Sequence, residues 1–371
     1  MPRVLPVEAL DTLIGALSER GYTVLGPTVR NGAIVHDELA EAAELPAGWT
    51  EVQQGGAYTL ERREDDARFG FASGPTSWKG QLFPSKIRLW RATQRGDGLE
   101  VDEEPLDTRK LAFLGVRSCD LAAIAIQDRV LLGGRYADRD YAARREGTFV
   151  VAVNCHEPGG TCFCASMDTG PTARGGYDIV LTELLNGAHR FLADAGTEKG
   201  EEVLAGLGGN EATEADLQSA AAQGAQAVER MGRRLDTDGI RDLLHDNLEH
   251  PRWDEVAQRC LTCGNCTLVC PTCFCTAVED ANELTGEAVR SRVWDSCYSV
   301  DYSYIHGGAI RPSPRARYRQ WLTHKLATWH DQFGTSGCVG CGRCIAWCPV
   351  GIDIRAEVEA IRAKEDSHAH A

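Results

Sequence analysis

Two cysteine runs constrain this chain more than anything else in it. Cys260-Leu-Thr-Cys263-Gly-Asn-Cys266-Thr-Leu-Val-Cys270-Pro271 has the spacing C-x2-C-x2-C-x3-C-P, and Cys338-Val-Gly-Cys341-Gly-Arg-Cys344-Ile-Ala-Trp-Cys348-Pro349 repeats it. Three thiolates at two-residue gaps wrap one corner of an iron–sulfur cubane, and the fourth Cys of each run reaches the cubane of the other. The expected ligand sets are therefore crossed. Cluster one takes Cys260, Cys263, Cys266 and Cys348, and cluster two takes Cys338, Cys341, Cys344 and Cys270. A pair of zinc ribbons is the competing reading. Zinc closes one tetrahedron with two CxxC pairs, which leaves the third Cys, the fourth Cys and the proline of each run without a role. Two [4Fe-4S] clusters are the expectation.

The linker, residues 271–337, is much longer than in small bacterial ferredoxins. It holds two stretches that read as helical, TAVEDANELTG and PRARYRQWLTHKLATWHDQF. That favours an α-helical dicluster domain over a compact βαββαβ one, and a domain of that kind serves as a wire.

A second set of thiols lies upstream. Cys119 follows the apolar run KLAFLGV, and Cys155 follows FVVAVN. If these runs are neighbouring parallel strands, both cysteines sit at the carboxyl edge of one sheet, where open α/β folds place ligands. Gly159 and Gly160 let the chain fold back, bringing Cys162 and Cys164 of TCFC to the same edge. Four converging thiols suit a third [4Fe-4S] cluster. A zinc ion, or plain burial of small apolar thiols, would use the same residues, and Asp120 or His156 could replace one Cys as donor. TCFC recurs at Thr272–Cys275. There Cys273 and Cys275 read as packing behind the first motif, the alternative being a further metal site completed by Cys297.

The chain has 371 residues and fifteen cysteines. A disulfide framework belongs to small secreted domains, whereas clustered Cys in a long chain point to metal. The net charge of −15 argues against nucleic acid or anionic lipid as a partner. No apolar run approaches the ~20 residues of a membrane helix. Glu8 and Asp11 interrupt any signal-peptide core, so the expected location is cytoplasmic. No G-x-G-x-x-G follows a strand and no Walker A motif occurs, so no flavin or nucleotide is expected on this chain. His306, His324 and His330 are isolated, and no nucleophile–base pair stands out, so no active site of its own is expected.

LPVEALDTLIGALSERG reads as a helix, and YTVLGP and GAIVHDEL as strands about a turn at Val29-Arg30-Asn31-Gly32. SCDLAAIAIQDRVLLGG reads as an apolar-faced helix. YDIVLTEL and AHRFLADAG read as a hairpin about Asn186-Gly187. The fold class expected is α+β or α/β, with a partly parallel sheet in an N-terminal domain (1–195). A helical connector (196–250), a helical ferredoxin-like dicluster domain (251–365) and a disordered tail (366–371) follow. The basic run Arg311, Arg315, Arg317 and Arg319 reads as a solvated helix face, or else as charge near a cluster or an acidic partner.

FLGVRSCDLAAI, VAVNCHEPGGTCFCASMDTGP, VCPTCFCTAVED, RVWDSC, RYRQWLTHK and CVGCGRCIAWCPVGIDI together resemble the β subunit of cytosolic sulfhydrogenases, the NAD(P)-linked heterotetrameric [NiFe]-hydrogenases of group 3b. The chain is also similar to the A subunit of anaerobic sulfite reductases. The resemblance implies an iron–sulfur subunit whose firm ligands are the eight ferredoxin cysteines. It implies an FAD- and NAD(P)-binding subunit and the small and large [NiFe]-hydrogenase subunits as partners. The implied task is to pass electrons between them; the alternative is the same task in a sulfite or sulfur reductase.

Overall fold

The structure is a computed structural model that describes residues 1–284 and 286–369, the side chains of 364–369 excepted. Its strands are β1 (Arg3–Pro6), β2 (Thr23–Arg30), β3 (Ala33–Glu38), β4 (Trp49–Gln54), β5 (Ala57–Arg62), β6 (Lys86–Arg95) and β7 (Gly98–Glu103), followed by β8 (Leu111–Val116), β9 (Thr148–Val153), β10 (Ile179–Leu184), β11 (Arg190–Ala195), β12 (Asn210–Glu211), β13 (Thr276–Asn282), β14 (Glu287–Trp294) and the short pair β15 (Tyr304–Ile305) and β16 (Gly308–Ala309). Eight of them form one sheet in the order β12-β1-β11-β10-β9-β8-β2-β3. The pairs β2/β8, β8/β9 and β9/β10 are parallel and the flanking pairs antiparallel. The partly parallel sheet expected from the apolar runs is thus present, and so is the β10–β11 hairpin.

The central strands are buried on both sides, and their side chains alternate between two cores. Ala112, Leu114, Phe149, Val151 and Val153 face the helices Ala9–Glu19 and Glu198–Gly206. Leu111, Phe113, Val116, Val150 and Ala152 face the helix Ser118–Leu131 and Tyr141. At ~1.5–3 kcal/mol per fully buried large side chain, these two layers make the sheet a rigid support for whatever sits on its edge.

The 196–250 stretch divides its allegiance. Val203 and Leu204 pack into the sheet core, whereas Ile240, Leu243 and Leu244 of the helix Ile240–Asp246 join the core around the two cysteine motifs. Those last side chains meet Trp253, Tyr318, Trp321, Leu322, Leu326, Ile345 and Ile361 there.

Three expectations differ from the structure. TAVEDANELTG is not helical: Thr276–Asn282 is a strand paired with β14. That hairpin adds to β6 and β7, giving a four-stranded antiparallel sheet in the order β13-β14-β6-β7. The linker between the motifs is therefore stitched into the N-terminal half, and the dicluster segment is mixed rather than all-helical. Finally, the last helix runs Ile354–Ala369, through positions where a disordered tail was expected. Residues 370 and 371 lie outside the described residues.

Candidate metal centre

The two motifs adopt matching backbone turns. Gly264 and Gly342 both have positive φ (73° and 74°) and each starts a short helix, Asn265–Leu268 and Arg343–Ala346. Two residues earlier, Thr262 and Gly340 are also left-handed (51° and 64°). This turns their amides back onto the first sulfur of each run. Thr262 N–H donates to Cys260 Sγ at 3.4 Å and Gly340 N–H to Cys338 Sγ at 3.4 Å. Amides aimed at sulfur favour thiolate over thiol.

The crossing of the motifs is visible in the lining of one cavity. Cys260, Cys263, Cys266 and Cys348 surround it, with Tyr298, Tyr318, Trp321 and Cys344. Cys348 accepts from Ile352 N–H at 3.3 Å. Cys263 is exposed, and the others of this set are half-buried. In the second set, burial pushes Cys338 up to about 12, and Cys344 is raised by burial with Cys338, Cys341 and Cys270 beside it. Cys270 thus lies with the cysteines of the other motif.

The upstream thiols also converge. β8 and β9 are parallel neighbours, so Cys119 and Cys155 leave the same sheet edge. Cys119, Cys155, Cys162 and Cys164 line one cavity with Ala72, Ser73, Arg117, Pro158, Pro171 and Met231. Burial pushes Cys164 up to about 12, with Cys155 and Cys341 adding to the rise. The two donors considered as substitutes are not among the lining residues. Asp120 gives both carboxylate oxygens to Arg343 (2.9 and 3.0 Å). His156 is buried beside Cys155, and its ring nitrogens meet no partner among the described residues.

The three thiol sets abut. Cys344 lines the first cavity while grouped with the second set. The second set touches the upstream one. Phe163 N–H donates to Gly340 O at 2.8 Å, and Cys162 Sγ points at Cys341 O (3.7 Å). A Cβ on Gly340 would lie 2.7 Å from Cys164 N and Cα, so only glycine fits at that seam.

Buried donors around these thiols fit an anionic sulfur-rich group. Tyr318 Oη and Trp321 Nε1 are buried in the first cavity's wall and find no acceptor among the described residues. Lys325 is buried with its ammonium on Cys270 Sγ (3.1 Å), and among the described residues no carboxylate is a hydrogen-bond partner. Arg117, in the wall of the third cavity, donates to the carbonyls of Phe69, Phe71 and Asn154 and leaves Nε unpartnered. A buried cation without an anion is costly, and thiolates on an iron–sulfur core supply one. Among the described residues no three His, Cys, Asp or Glu side chains are spaced to hold a single metal ion.

Of the remaining cysteines, Cys273 lies by the second set, whereas Cys297 lies by Cys266 of the first. Cys273 neighbours Cys270, and Cys297 neighbours Cys275. Of the basic run, Arg315 and Arg319 pair with Glu249 at 2.8 and 2.7 Å, a surface contact. Arg317 is buried and donates to Tyr298 O at 3.0 Å, holding a residue that lines the first cavity. Sequence reasoning did not find the cations Lys325, Arg117 and Arg343. Their only signal is a lone basic residue inside an apolar or cysteine-rich run.

Residues 259–352 match the family model for a 4Fe-4S dicluster domain. The chain is also 34% identical over 272 residues to sulfhydrogenase 2 subunit beta of Pyrococcus furiosus, spanning 72% of this chain and 78% of that one. The chain belongs to the sulfhydrogenase β-subunit family. It is accordingly an iron–sulfur electron-transfer subunit carrying [4Fe-4S] clusters in its dicluster segment. No solved structure gives a significant match. The relative's name, a subunit beta, implies a hetero-oligomeric complex, and among the described residues no helix is long and apolar enough to cross a membrane.

Proposed function

We propose that this chain relays electrons between a flavin subunit that exchanges hydride with NAD(P)H and a [NiFe]-hydrogenase module, over three [4Fe-4S] sites. Site one is Cys260, Cys263, Cys266 and Cys348; site two is Cys338, Cys341, Cys344 and Cys270; site three is Cys119, Cys155, Cys162 and Cys164. Bound [4Fe-4S] cores supply reversible one-electron transfer. The protein's part is to hold the thiols, exclude water from the two inner sites and keep neighbouring sites in contact.

The observation that carries the reading is the contiguity of the three sets: Cys344 borders the first cavity, and Cys341 lies against Cys162 and Cys164. Order along the relay is then three, two, one. The exposed Cys263 marks site one as the end open to a partner. The sulfhydrogenase relative favours the hydrogenase assembly over a sulfite reductase one.

Anaerobic purification of the tagged chain from its source tests the assembly. A nickel-containing large subunit and a flavin subunit are expected to copurify, and a siroheme subunit in their place would overturn it. The separated chain is expected to be brown, to bleach with dithionite, and to take no electrons from hydrogen by itself.

A further inference from the structure

We infer that Lys325 is the fixed countercharge of site two, raising the potential at which that site accepts an electron. The inference rests on the ligand set proposed above for site two. Lys325 ends the segment RYRQWLTHK, which the ligand assignment leaves without a role.

Lys325 is 3% exposed. An ammonium has three N–H donors, and all three have acceptors here: Cys270 Sγ at 3.1 Å, Thr272 Oγ1 at 3.0 Å and Gly337 O at 3.3 Å. Thr272 spends its own hydroxyl hydrogen on Gly337 O at 2.6 Å, which leaves its oxygen free to accept. The acceptor geometry therefore specifies the charged form, although no carboxylate is among the partners. The negative charge has to come from sulfur.

The backbone is shaped to put the charge there. Residues His324–Thr328 form a π turn inside an otherwise α-helical run from Pro314 to Phe333. Such turns recur at functional sites. Here the turn frees Lys325 O, which accepts from Gly337 N–H at 2.7 Å and Ser336 Oγ–H at 3.3 Å. One residue thus grips the entry to the second motif with its carbonyl and the last cysteine of the first with its ammonium. Those are the two ends of the crossed ligand set. Gly337 has to be glycine for this, because a Cβ would run into the Trp329 ring.

A cubane with four thiolates gains one negative charge on reduction. A positive charge on a ligand sulfur in a water-poor interior stabilises that extra charge more than it does in water. The direction follows: removing the charge makes site two harder to reduce.

The test is an EPR-monitored redox titration of the full chain as Lys325→Met, Lys325→Gln and Lys325→Arg, with iron and sulfide counted in each. The expected result is unchanged iron, a more negative midpoint for one cluster only in the Met and Gln forms, and recovery in the Arg form. Wild-type midpoints in the Gln form with full iron content would overturn the inference. So would an equal shift in Arg and Met, which would mean that shape and not charge is what Lys325 supplies. If Cys338→Ser in the otherwise native chain costs no cluster, the ligand set itself fails, which is a separate result.

Discussion

At the scale of residues, the eight motif cysteines stand out because their spacing leaves few alternatives; Cys260, Cys263, Cys266 and Cys348 line one cavity, and Cys338, Cys341 and Cys270 neighbour Cys344. The nearness of the upstream thiols was legible through topology: two apolar runs, each followed by Cys, become parallel neighbours. The cations were not legible, since one Arg or Lys in a run carries no periodicity. Substitution separates the sites. Cys348→Ser is expected to remove or weaken the cluster of the first motif while sparing that of the second, read as loss of one EPR signal, because its sulfur lies in the first cavity. Gly340→Ala tests the seam. Its left-handed backbone and the 2.7 Å approach to Cys164 should cost about 1–3 kcal/mol by overpacking. The expected sign is a lower thermal midpoint together with early loss of iron from site three. Gly264, also left-handed, meets no backbone atom at that range, so Gly264→Ala should spare site three.

At the scale of elements, periodicity identified the long helices and the buried strands but failed on β13. That strand is exposed along nearly its whole length (Glu279 to Asn282 all exposed), so it has no apolar alternation to read. Its pairing is specified by β14, which bulges between Arg290 and Ser291 against β6. The π turn was equally silent, because a single inserted residue leaves the composition of RYRQWLTHKLATWH unchanged. The helix Ser118–Leu131 is tied to the second motif by one buried ion pair, Asp120–Arg343, with side chains 4% and 1% exposed. Arg343 also donates to Gly74 O at 3.2 Å. Removing one partner strands the other charge, at about 3–5 kcal/mol. Arg343→Met is expected to lower the thermal midpoint steeply, whereas Arg343→Met combined with Asp120→Leu should recover part of the loss. A thermal melt of the three forms decides this. Equal stability of the single variant and the wild type would show that the pair does not hold the helix to the motif.

At the scale of the whole molecule, one idea organises the chain. A sheet with two buried layers offers its carboxyl edge to the upstream thiols, and the dicluster segment lies against that edge through Gly340, Gly342 and Arg343. The linker returns to the N-terminal half as the β13–β14 hairpin, so the two halves are interlocked by chain order as well as by contact. The expected division into a helical connector and a separate dicluster domain therefore describes the sequence better than the packing. The most direct test of the relay is the iron and acid-labile sulfide content of the anaerobically loaded full chain. Three contiguous [4Fe-4S] sites predict about twelve of each per chain, and about eight or fewer would contradict a three-site relay.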